Sequence, residues 1–230
     1  MKRSLITGAS RGIGRAIAEK LASAGDTLLL HGRDREALAT SGKLVEAKGA
    51  KAIPLCYDLR DPVAIQKMLD EIGTEPLNAL INNAGIAFVK PLLEITLEEW
   101  QATFAVNVTA PFLLTQKLLP LLGRGSTIVN ILSIAAKTGF PNWSSYCMSK
   151  FALEGFSQAV REEVRERGIR VLNVYPAATS TEIWKGVDGE WPREKMLSAE
   201  QIGEAVAFAL SRPNDVAVEN ITLQNVSGAL

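Results

Sequence analysis

The stretch that decides the fold is Thr7-Gly8-Ala9-Ser10-Arg11-Gly12-Ile13-Gly14, which has the spacing G-x-x-x-G-x-G. An apolar run from Ser4 to Thr7 precedes it and is predicted to be a strand. Beyond it, Ile13, Ile17 and Leu21 recur at helical spacing. Glycines in such a turn permit a tight bend and a close approach of a phosphate to the backbone, and the helix N-terminus attracts the anion. The stretch therefore predicts a phosphate-binding turn at the start of a βαβ unit.

Outward from this turn, short apolar runs alternate with amphipathic segments. The predicted strands are Ser4 to Thr7, Thr27 to His31, Ala52 to Cys56, Ala79 to Asn82, Thr127 to Leu132, Val171 to Tyr175 and Asn220 to Leu223. The predicted helices after the first are Asp34 to Ala47, Pro62 to Ile72, Leu97 to Leu119, Trp143 to Arg167 and Ala199 to Leu210. Runs rich in Val, Ile and Leu are typical of a parallel sheet covered on both faces. The pattern predicts a single α/β domain over residues 1–230 with a doubly wound parallel sheet.

Composition excludes several classes of function. The chain has 25 Lys and Arg against 25 Asp and Glu, so its net charge is zero and no basic cluster favours nucleic acid or an anionic membrane. No stretch approaches the roughly 18 apolar residues of a membrane span, and no signal peptide is evident. The expected location is therefore the cytoplasm. Cys56 and Cys147 lie far apart and His31 is the only histidine, so no metal site is expected.

The second predicted strand ends in His31-Gly32-Arg33. In a dinucleotide-binding unit, an acidic residue about twenty residues after the turn would bind the ribose 2′-hydroxyl of NAD. Here Gly32 leaves space, and Arg33 is suited to pair with a 2′-phosphate, with Arg11 as a second cation. These residues favour NADP(H) over NAD(H).

Four polar residues form a second constellation. Tyr146 and Lys150 are four residues apart in a predicted helix and therefore lie on the same face of it. Ser133 follows the preceding strand, at the sheet edge where ligands of open α/β folds bind. Asn107 lies within another predicted helix, although asparagine is not favoured there by propensity. The combination indicates a chemical site.

These residues, in this order and at this approximate spacing, resemble the short-chain dehydrogenase/reductase family. The features that carry the resemblance are the glycine turn, Asp58-Leu59, Asn82-Asn83-Ala84-Gly85, Asn107, Ser133, Tyr146-x-x-x-Lys150 and Pro176. It covers essentially the whole chain, and within the family it indicates NADP(H)-dependent carbonyl or 3-oxoacyl reductase-like members. The resemblance implies a Rossmann-like sheet of about seven strands in the order 3-2-1-4-5-6-7, with helices on both faces.

The resemblance also implies an oxidoreductase that transfers a hydride between NADP(H) and a carbonyl or secondary alcohol of a small molecule. Tyr146 would be the general acid or base, Ser133 would hydrogen-bond the substrate oxygen, and Lys150 would hold the nicotinamide ribose. Asn107 would anchor a water that relays protons. The residues implied to contact the cofactor are Gly8, Ser10, Arg11, Gly12, Ile13, Gly14, Arg33, Asp58, Leu59, Asn83, Ala84, Gly85, Tyr146, Lys150, Pro176, Thr179 and Thr181.

The pair of Tyr146 and Lys150 carries a further expectation about the tyrosine pKa. A free tyrosine has a pKa near 10. A cation about 4.5 Å away, at an effective dielectric constant of about 20, would favour the phenolate by roughly 3 to 4 kcal/mol. We therefore expect Lys150 to lower the pKa of Tyr146 toward neutrality.

The substrate is less readable from the sequence. The irregular segment 177–197 is long enough to predict a functional loop, a lid over the substrate. Four aromatic residues are candidates to line an apolar pocket, namely Phe140, Trp143, Trp184 and Trp191. No lysine or arginine of this segment is an obvious clamp for a carboxylate, and Lys185 and Arg193 stay open as candidates for that role. Apolar residues on more than one face of the two long helices, Phe104, Phe112, Phe151 and Phe156, predict a homodimer or homotetramer.

Two other functions compete with a carbonyl reductase. One is a dehydrogenase that oxidises a hydroxy acid or a sugar alcohol with the same residues. The other is a non-catalytic NADP(H) sensor, which would have no need of the proton donor Tyr146.

Replacement of Arg33 by Asp tests the cofactor preference. A hydrogen bond to a charged group contributes about 1.5–3 kcal/mol, so we expect the wild type to prefer NADPH by roughly ten- to over a hundredfold in kcat/KM. Arg33→Asp removes that contact and offers the NAD ribose an acceptor, so it should invert or erase the preference with little change in kcat. Steady-state kinetics with both cofactors measure this. Equal use of NADH and NADPH by the wild type would contradict the role of Arg33.

Overall fold

The computed structural model describes residues 1–185, 187, 192–226 and 228. Its seven strands are β1 Arg3–Ile6, β2 Thr27–Gly32, β3 Lys51–Cys56, β4 Leu77–Asn82, β5 Leu122–Ile131, β6 Arg170–Pro176 and β7 Asn220–Leu223. Its α-helices are α1 Gly12–Leu21, α2 Arg35–Glu46, α3 Pro62–Ile72, α4 Leu97–Phe104, α5 Ala110–Leu118, α6 Ser144–Val164 and α7 Ala199–Leu210. Within the described residues, no helix is long and apolar enough to cross a membrane.

The strands form one parallel sheet in the order β3-β2-β1-β4-β5-β6-β7. This confirms the predicted Rossmann-like α/β fold and its strand order. The order reverses between β1 and β4, and ligands of doubly wound folds bind beyond the carboxyl ends of the strands at that point.

Successive side chains along each strand lie on opposite faces of the sheet. Leu5 and Leu29 join the apolar cluster that includes residues of α3 and α5, whereas Ile6 and Leu30 join the cluster with residues of α1 and α7. Side chains alternate across a strand, so each strand must be apolar at both parities when helices cover both faces. This accounts for the continuous Val, Ile and Leu runs.

Polar side chains also cross the sheet in register. Asn82, Asn130, Asn173 and Asn220 are successive partners on β4, β5, β6 and β7. Asn82 Nδ2 donates to Asn130 Oδ1 at 2.9 Å, and Asn130 Nδ2 lies 3.4 Å from Asn173 Oδ1. Because buried amides are stable only when hydrogen-bonded, this ladder fixes the register of the strands that lead to the site.

Two predicted elements differ most from what the structure has. β5 begins at Leu122, five residues before the predicted Thr127. The prediction began too late because Gly123-Arg124-Gly125 has no apolar side chain that would indicate a strand. The predicted helix from Leu97 to Leu119 is helical from Leu97 to Leu118, but a π-helical turn at Ala105–Thr109 divides it into α4 and α5. Pro111 has no N–H to donate to the carbonyl of the residue four positions earlier, and a π-turn accommodates that loss.

Three helices expose large aromatic side chains. Phe104 on α4, Phe112 on α5 and Phe151 on α6 are 40%, 42% and 47% exposed. Phe156 differs, because it packs against the core and meets the Phe112 ring edge-to-face at 5.9 Å. Exposed aromatic residues on neighbouring helices are typical of a surface that self-associates.

We therefore expect a homodimer or homotetramer, and Phe151→Glu should shift it toward the 24.8 kDa monomer because a carboxylate cannot be buried unpaired in an apolar interface. Sedimentation velocity at micromolar concentration measures the species present. Val63→Glu is the matched control, since Val63 lies on α3 and is 62% exposed. A wild type that sediments as a monomer would refute the expectation.

Candidate functional site

The glycine turn between β1 and α1 has a backbone that only glycine accommodates. Gly8 and Gly12 have φ values of +67° and +54°. A Cβ atom on Gly8 would lie 2.9 Å from Ala84 Cα, and one on Gly14 would lie 2.2 Å from the Gly8 carbonyl oxygen. Gly14 is therefore needed for the packing of α1 against the turn, and it does not line the cavity described below.

Two side chains fasten this turn to the end of β4. Thr7 Oγ1 accepts hydrogen bonds from the backbone N–H groups of Asn83 and Ala84 at 2.9 and 3.0 Å, and donates to the Ile81 carbonyl. Asn83 Nδ2 in turn donates to the carbonyls of Thr7 at 2.8 Å and Gly8 at 3.2 Å. The ends of β1 and β4 are thus cross-linked in both directions.

A cavity of about 380 Å³ lies beyond these strand ends. Its lining includes twelve of the residues that the sequence predicts to contact the cofactor, namely Gly8, Ser10, Arg11, Gly12, Ile13, Arg33, Asp58, Leu59, Asn83, Ala84, Gly85 and Thr181. No side chain caps the N-terminus of α1, and its first turn has no acidic residue, whereas Asp34 and Asp61 cap α2 and α3. The first N–H groups of α1 are therefore suited to an anion.

Both predicted phosphate-binding arginines line this cavity. Among the described residues, neither Arg11 nor Arg33 has a carboxylate oxygen within ion-pair distance. Asp58 instead pairs with Arg60, whose Nε lies 2.9 Å from Oδ2, and this pair lowers the pKa of the Asp58 carboxyl. A Cβ atom on Gly32 would lie 3.1 Å from Ser10 Cβ, so a larger residue there would crowd the turn.

The four residues of the second constellation lie close together. Tyr146 lies in the first turn of α6 and is 9% exposed, and the Ser133 side chain interacts with its hydroxyl. Lys150 Nζ donates to the Ile131 carbonyl at 2.8 Å and lies 5.5 Å from the centre of the Tyr146 ring. Asn107 lies in the π-helical turn, where its amide bonds both backbone groups of Ile86 and donates to Ser149 Oγ.

The expected pKa of Tyr146 is wrong. Burial raises the pKa of Tyr146 to about 12, and the hydrogen bond from Ser133 offsets only part of that rise. Burial also lowers the pKa of Lys150 to about 8. The cost of desolvating a phenolate outweighs the attraction of a cation that is itself directed at a backbone carbonyl. The tyrosine is therefore protonated at neutral pH.

A second cavity of about 270 Å³ adjoins the first, and both include Thr181 and Ile183 in their lining. Ser133, Tyr146, Pro176 and Thr179 line it, so the last two lie beside the catalytic candidates and not in the larger cavity. Three of the four aromatic candidates also line it, namely Phe140, Trp143 and Trp184. The fourth, Trp191, lies outside the described residues.

The comparisons with known proteins agree with this geometry. The family model described as short chain dehydrogenase matches residues 2–190. The chain belongs to the short-chain dehydrogenase/reductase family. Members of this family are oxidoreductases that act on alcohol or carbonyl groups and bind NAD(P), and this chain is such an oxidoreductase.

Similar proteins differ in their substrates. An L-2,3-butanediol dehydrogenase of Corynebacterium glutamicum is 35% identical over 93% of this chain and 86% of its own length. A 3-oxoacyl-[acyl-carrier-protein] reductase of Aquifex aeolicus is 35% identical over 91% of this chain and 90% of its own. An alcohol dehydrogenase of Thermococcus sibiricus, solved with 5-hydroxy-NADP, superimposes with a TM-score of 0.90 at 28% identity and covers 98% and 97% of the two chains.

Sequence reasoning missed the role of His31 in the larger cavity. His31 is 2% exposed, and its Nδ1 accepts a hydrogen bond from the Gly8 N–H at 3.3 Å while Nε2 lies 3.1 Å from the Tyr57 carbonyl. This single imidazole joins the glycine turn to the segment that carries Asp58. The available signal was a lone polar residue at the end of β2, directly before Gly32-Arg33.

The geometry of His31 predicts a pH-dependent stability. His31 Nδ1 can accept the hydrogen bond from the Gly8 N–H only while the imidazole ring is neutral. Burial lowers the pKa of His31 from 6.5 to about 4. The unfolded chain binds the proton first as pH falls, so this stabilisation is complete above pH 6.5 and is lost as pH falls toward 4. It amounts to up to about 3 kcal/mol.

Urea unfolding between pH 4 and 6.5 measures this effect, using the range between the two pKa values. We expect the free energy of unfolding to fall less steeply with decreasing pH in His31→Gln than in the wild type. Both proteins share the same carboxylates, so their difference isolates the imidazole. Identical slopes would show that His31 is not neutral in the folded protein.

Proposed function

We propose that this short-chain dehydrogenase/reductase reduces a carbonyl group with NADPH, and that Tyr146 is the proton donor. The observation that carries the proposal is the pair of buried Tyr146 and half-buried Ser133 at the wall of a cavity that adjoins the larger one, which is lined by Arg11 and Arg33. Two cavities with a shared border suit a reaction between two ligands, one a dinucleotide and the other a small molecule.

The residues of the larger cavity fit a dinucleotide. Glycines stand where any Cβ would meet the backbone, and the uncapped N-terminus of α1 offers N–H groups to a pyrophosphate. Arg33 and Arg11 would hold a 2′-phosphate, which supports NADP(H) over NAD(H). The remainder of the adenosine and the central part of the dinucleotide would contact Asp58, Leu59, Asn83, Ala84 and Gly85. When bound, the nicotinamide supplies or accepts the hydride.

The protein's own groups would manage the proton. Burial raises the pKa of Tyr146 to about 12, so the tyrosine is protonated at neutral pH. The protonated form is the one that donates to an alkoxide. Ser133 would hydrogen-bond the same substrate oxygen and orient it. Lys150 would hold the nicotinamide ribose, and Asn107 would hold the loop at Ile86 beside it and anchor a water for proton relay.

The raised pKa of Tyr146 bears on the two competing functions. Oxidation of a hydroxy acid or sugar alcohol needs the tyrosine as a base, and burial disfavours the phenolate. A non-catalytic sensor has no use for a hydroxyl pair directed into a second cavity. The protonated form of Tyr146 is the one that reduction uses and so supports this direction, while the equilibrium itself is set by the substrates and not by the enzyme.

The same proposal extends to the organisation of the protein. We infer that residues 1–230 act as one dinucleotide-binding and catalytic domain, and that segment 177–197 serves as a substrate lid. Six described residues of that segment line the second cavity and support this role, namely Ala177, Ala178, Thr179, Thr181, Ile183 and Trp184. The active form is proposed to be a homodimer or homotetramer, as the exposed aromatic residues suggest.

Replacement of Tyr146 by Phe tests the proposed function. The change removes the proton donor, so we expect kcat for carbonyl reduction to fall by about 10²–10⁴-fold. The Kd for NADPH, measured by fluorescence titration, should change little because the hydroxyl acts on the substrate. Tyr57→Phe is the matched control, since the Tyr57 hydroxyl bonds Glu71 away from both cavities. A Tyr146→Phe enzyme that keeps most of its activity would overturn the assignment.

A further inference from the structure

The second cavity indicates a substrate class, and this inference rests on the proposed function. Its described lining is Leu132, Ser133, Ile134, Ala135, Phe140, Pro141, Trp143, Tyr146, Pro176, Ala177, Ala178, Thr179, Thr181, Ile183 and Trp184. None of these side chains carries a charge. Ser133 and Tyr146 are assigned to the reacting oxygen, and the Thr179 hydroxyl already donates to the Ala177 carbonyl at 2.9 Å. Few polar groups therefore remain for the rest of a substrate.

Aromatic rings form one side of this cavity. The Trp143 ring meets Tyr146 and Trp184 edge-to-face, with centroids 5.5 Å apart in both pairs. The Trp184 indole N–H donates to the Thr179 carbonyl at 2.8 Å, so its polar atom is satisfied within the protein. Rings in such edge-to-face contacts accept a further aromatic group readily.

The position of Trp143 is fixed by the backbone around it. Asn142, directly before it, has a φ of +68°, and its carbonyl accepts a hydrogen bond from the Lys90 N–H at 2.9 Å. The Trp143 N–H donates to the Phe140 carbonyl at 3.2 Å. An aromatic wall held in this way is preformed, so little entropy is lost when a ring binds against it.

Described cations in the segments beside this cavity have other partners. Lys185 forms an ion pair with Glu182, and the Arg193 guanidinium donates to the Thr181 carbonyl at 3.1 Å. Lys137 pairs with Glu154 at 3.1 Å. A carboxylate or phosphate in the cavity would lose its hydration without gaining a counter-ion, and several hydroxyls would lose theirs without gaining hydrogen bonds.

We propose that the substrates are uncharged ketones or aldehydes with an aromatic or bulky apolar group beside the carbonyl. The carbonyl oxygen would lie at Tyr146 and Ser133, with the ring against Trp143 and Trp184. A cavity of about 150 Å³ is enough for benzene. The 270 Å³ here leaves room for one ring and the carbonyl arm.

A matched pair of ketones tests the charge requirement. Methyl benzoylformate and benzoylformate share the aryl ketone and differ in one carboxylate. We expect kcat/KM with NADPH to be at least about a hundredfold higher for the ester, because burial of an unpaired charge costs several kcal/mol. Propiophenone should likewise exceed erythrulose by a similar factor, although the carbonyl of this polyhydroxy ketone is intrinsically the more electrophilic of the two.

The variant Trp184→Arg tests the location. A guanidinium at this wall should raise kcat/KM for benzoylformate and lower it for the ester and for propiophenone, shifting the ester-to-acid ratio toward the acid by tenfold or more. Val63→Arg adds the same charge on the exposed face of α3 and should leave the ratio unchanged. A wild-type-like Kd for NADPH shows that each variant is folded.

The outcomes separate this inference from the proposed function. Reduction of benzoylformate or erythrulose at a rate equal to or above that of the apolar ketones, and dependent on Tyr146, would overturn the substrate class and leave the reductase intact. An unchanged ester-to-acid ratio in Trp184→Arg would overturn the location of the site. A lack of Tyr146-dependent reduction of every ketone would overturn the proposed function, and this inference with it.

Discussion

The hydrogen bonds between the ends of β1 and β4 are the constraint on which the rest of the site depends. Thr7 and Asn83 exchange bonds across this junction, which is the point where the strand order of the sheet reverses. They hold the glycine turn against Ala84 so closely that no Cβ fits at Gly8. The turn then directs the uncapped end of α1 toward the larger cavity. Loss of this junction would therefore move both the phosphate-binding turn and the wall at Asn83.

Burial sets the ionisation of three titratable side chains at or near the two cavities. It raises the pKa of Tyr146, and it lowers the pKa of Lys150 and of His31. The common cause is the cost of removing a charged group from water, which favours the neutral form of each. A neutral His31 accepts the Gly8 N–H, and a protonated Tyr146 donates to an alkoxide. The same desolvation thus supports the backbone of one cavity and the chemistry of the other.

Much of the fold was predictable because apolar runs and their turn residues are local signals. Pro62–Ile72, Ala199–Leu210 and Asn220–Leu223 have the predicted bounds. The early start of β5 was not predictable, since Gly123 and Arg124 resemble a loop and only the pairing of Leu122 with Leu77, before a shift in register, extends the strand to that point. The π-turn at Asn107 was missed for a related reason. Pro111 indicates an interruption of the helical hydrogen bonds, but the form of that interruption depends on the contacts of Asn107 with Ile86.

The amino-acid sequence alone identified the family and the candidate residues of both constellations, because glycine spacing and an i, i+4 pair are properties of the local chain, and the resemblance to that family implied the order of the strands. Only the tertiary structure decided how those residues divide between two cavities, and that Pro176 and Thr179 belong with Tyr146. It also decided that His31 contacts the glycine turn and that the pKa of Tyr146 rises. These depend on burial and on contacts between residues far apart in sequence, and neither can be read from spacing along the chain.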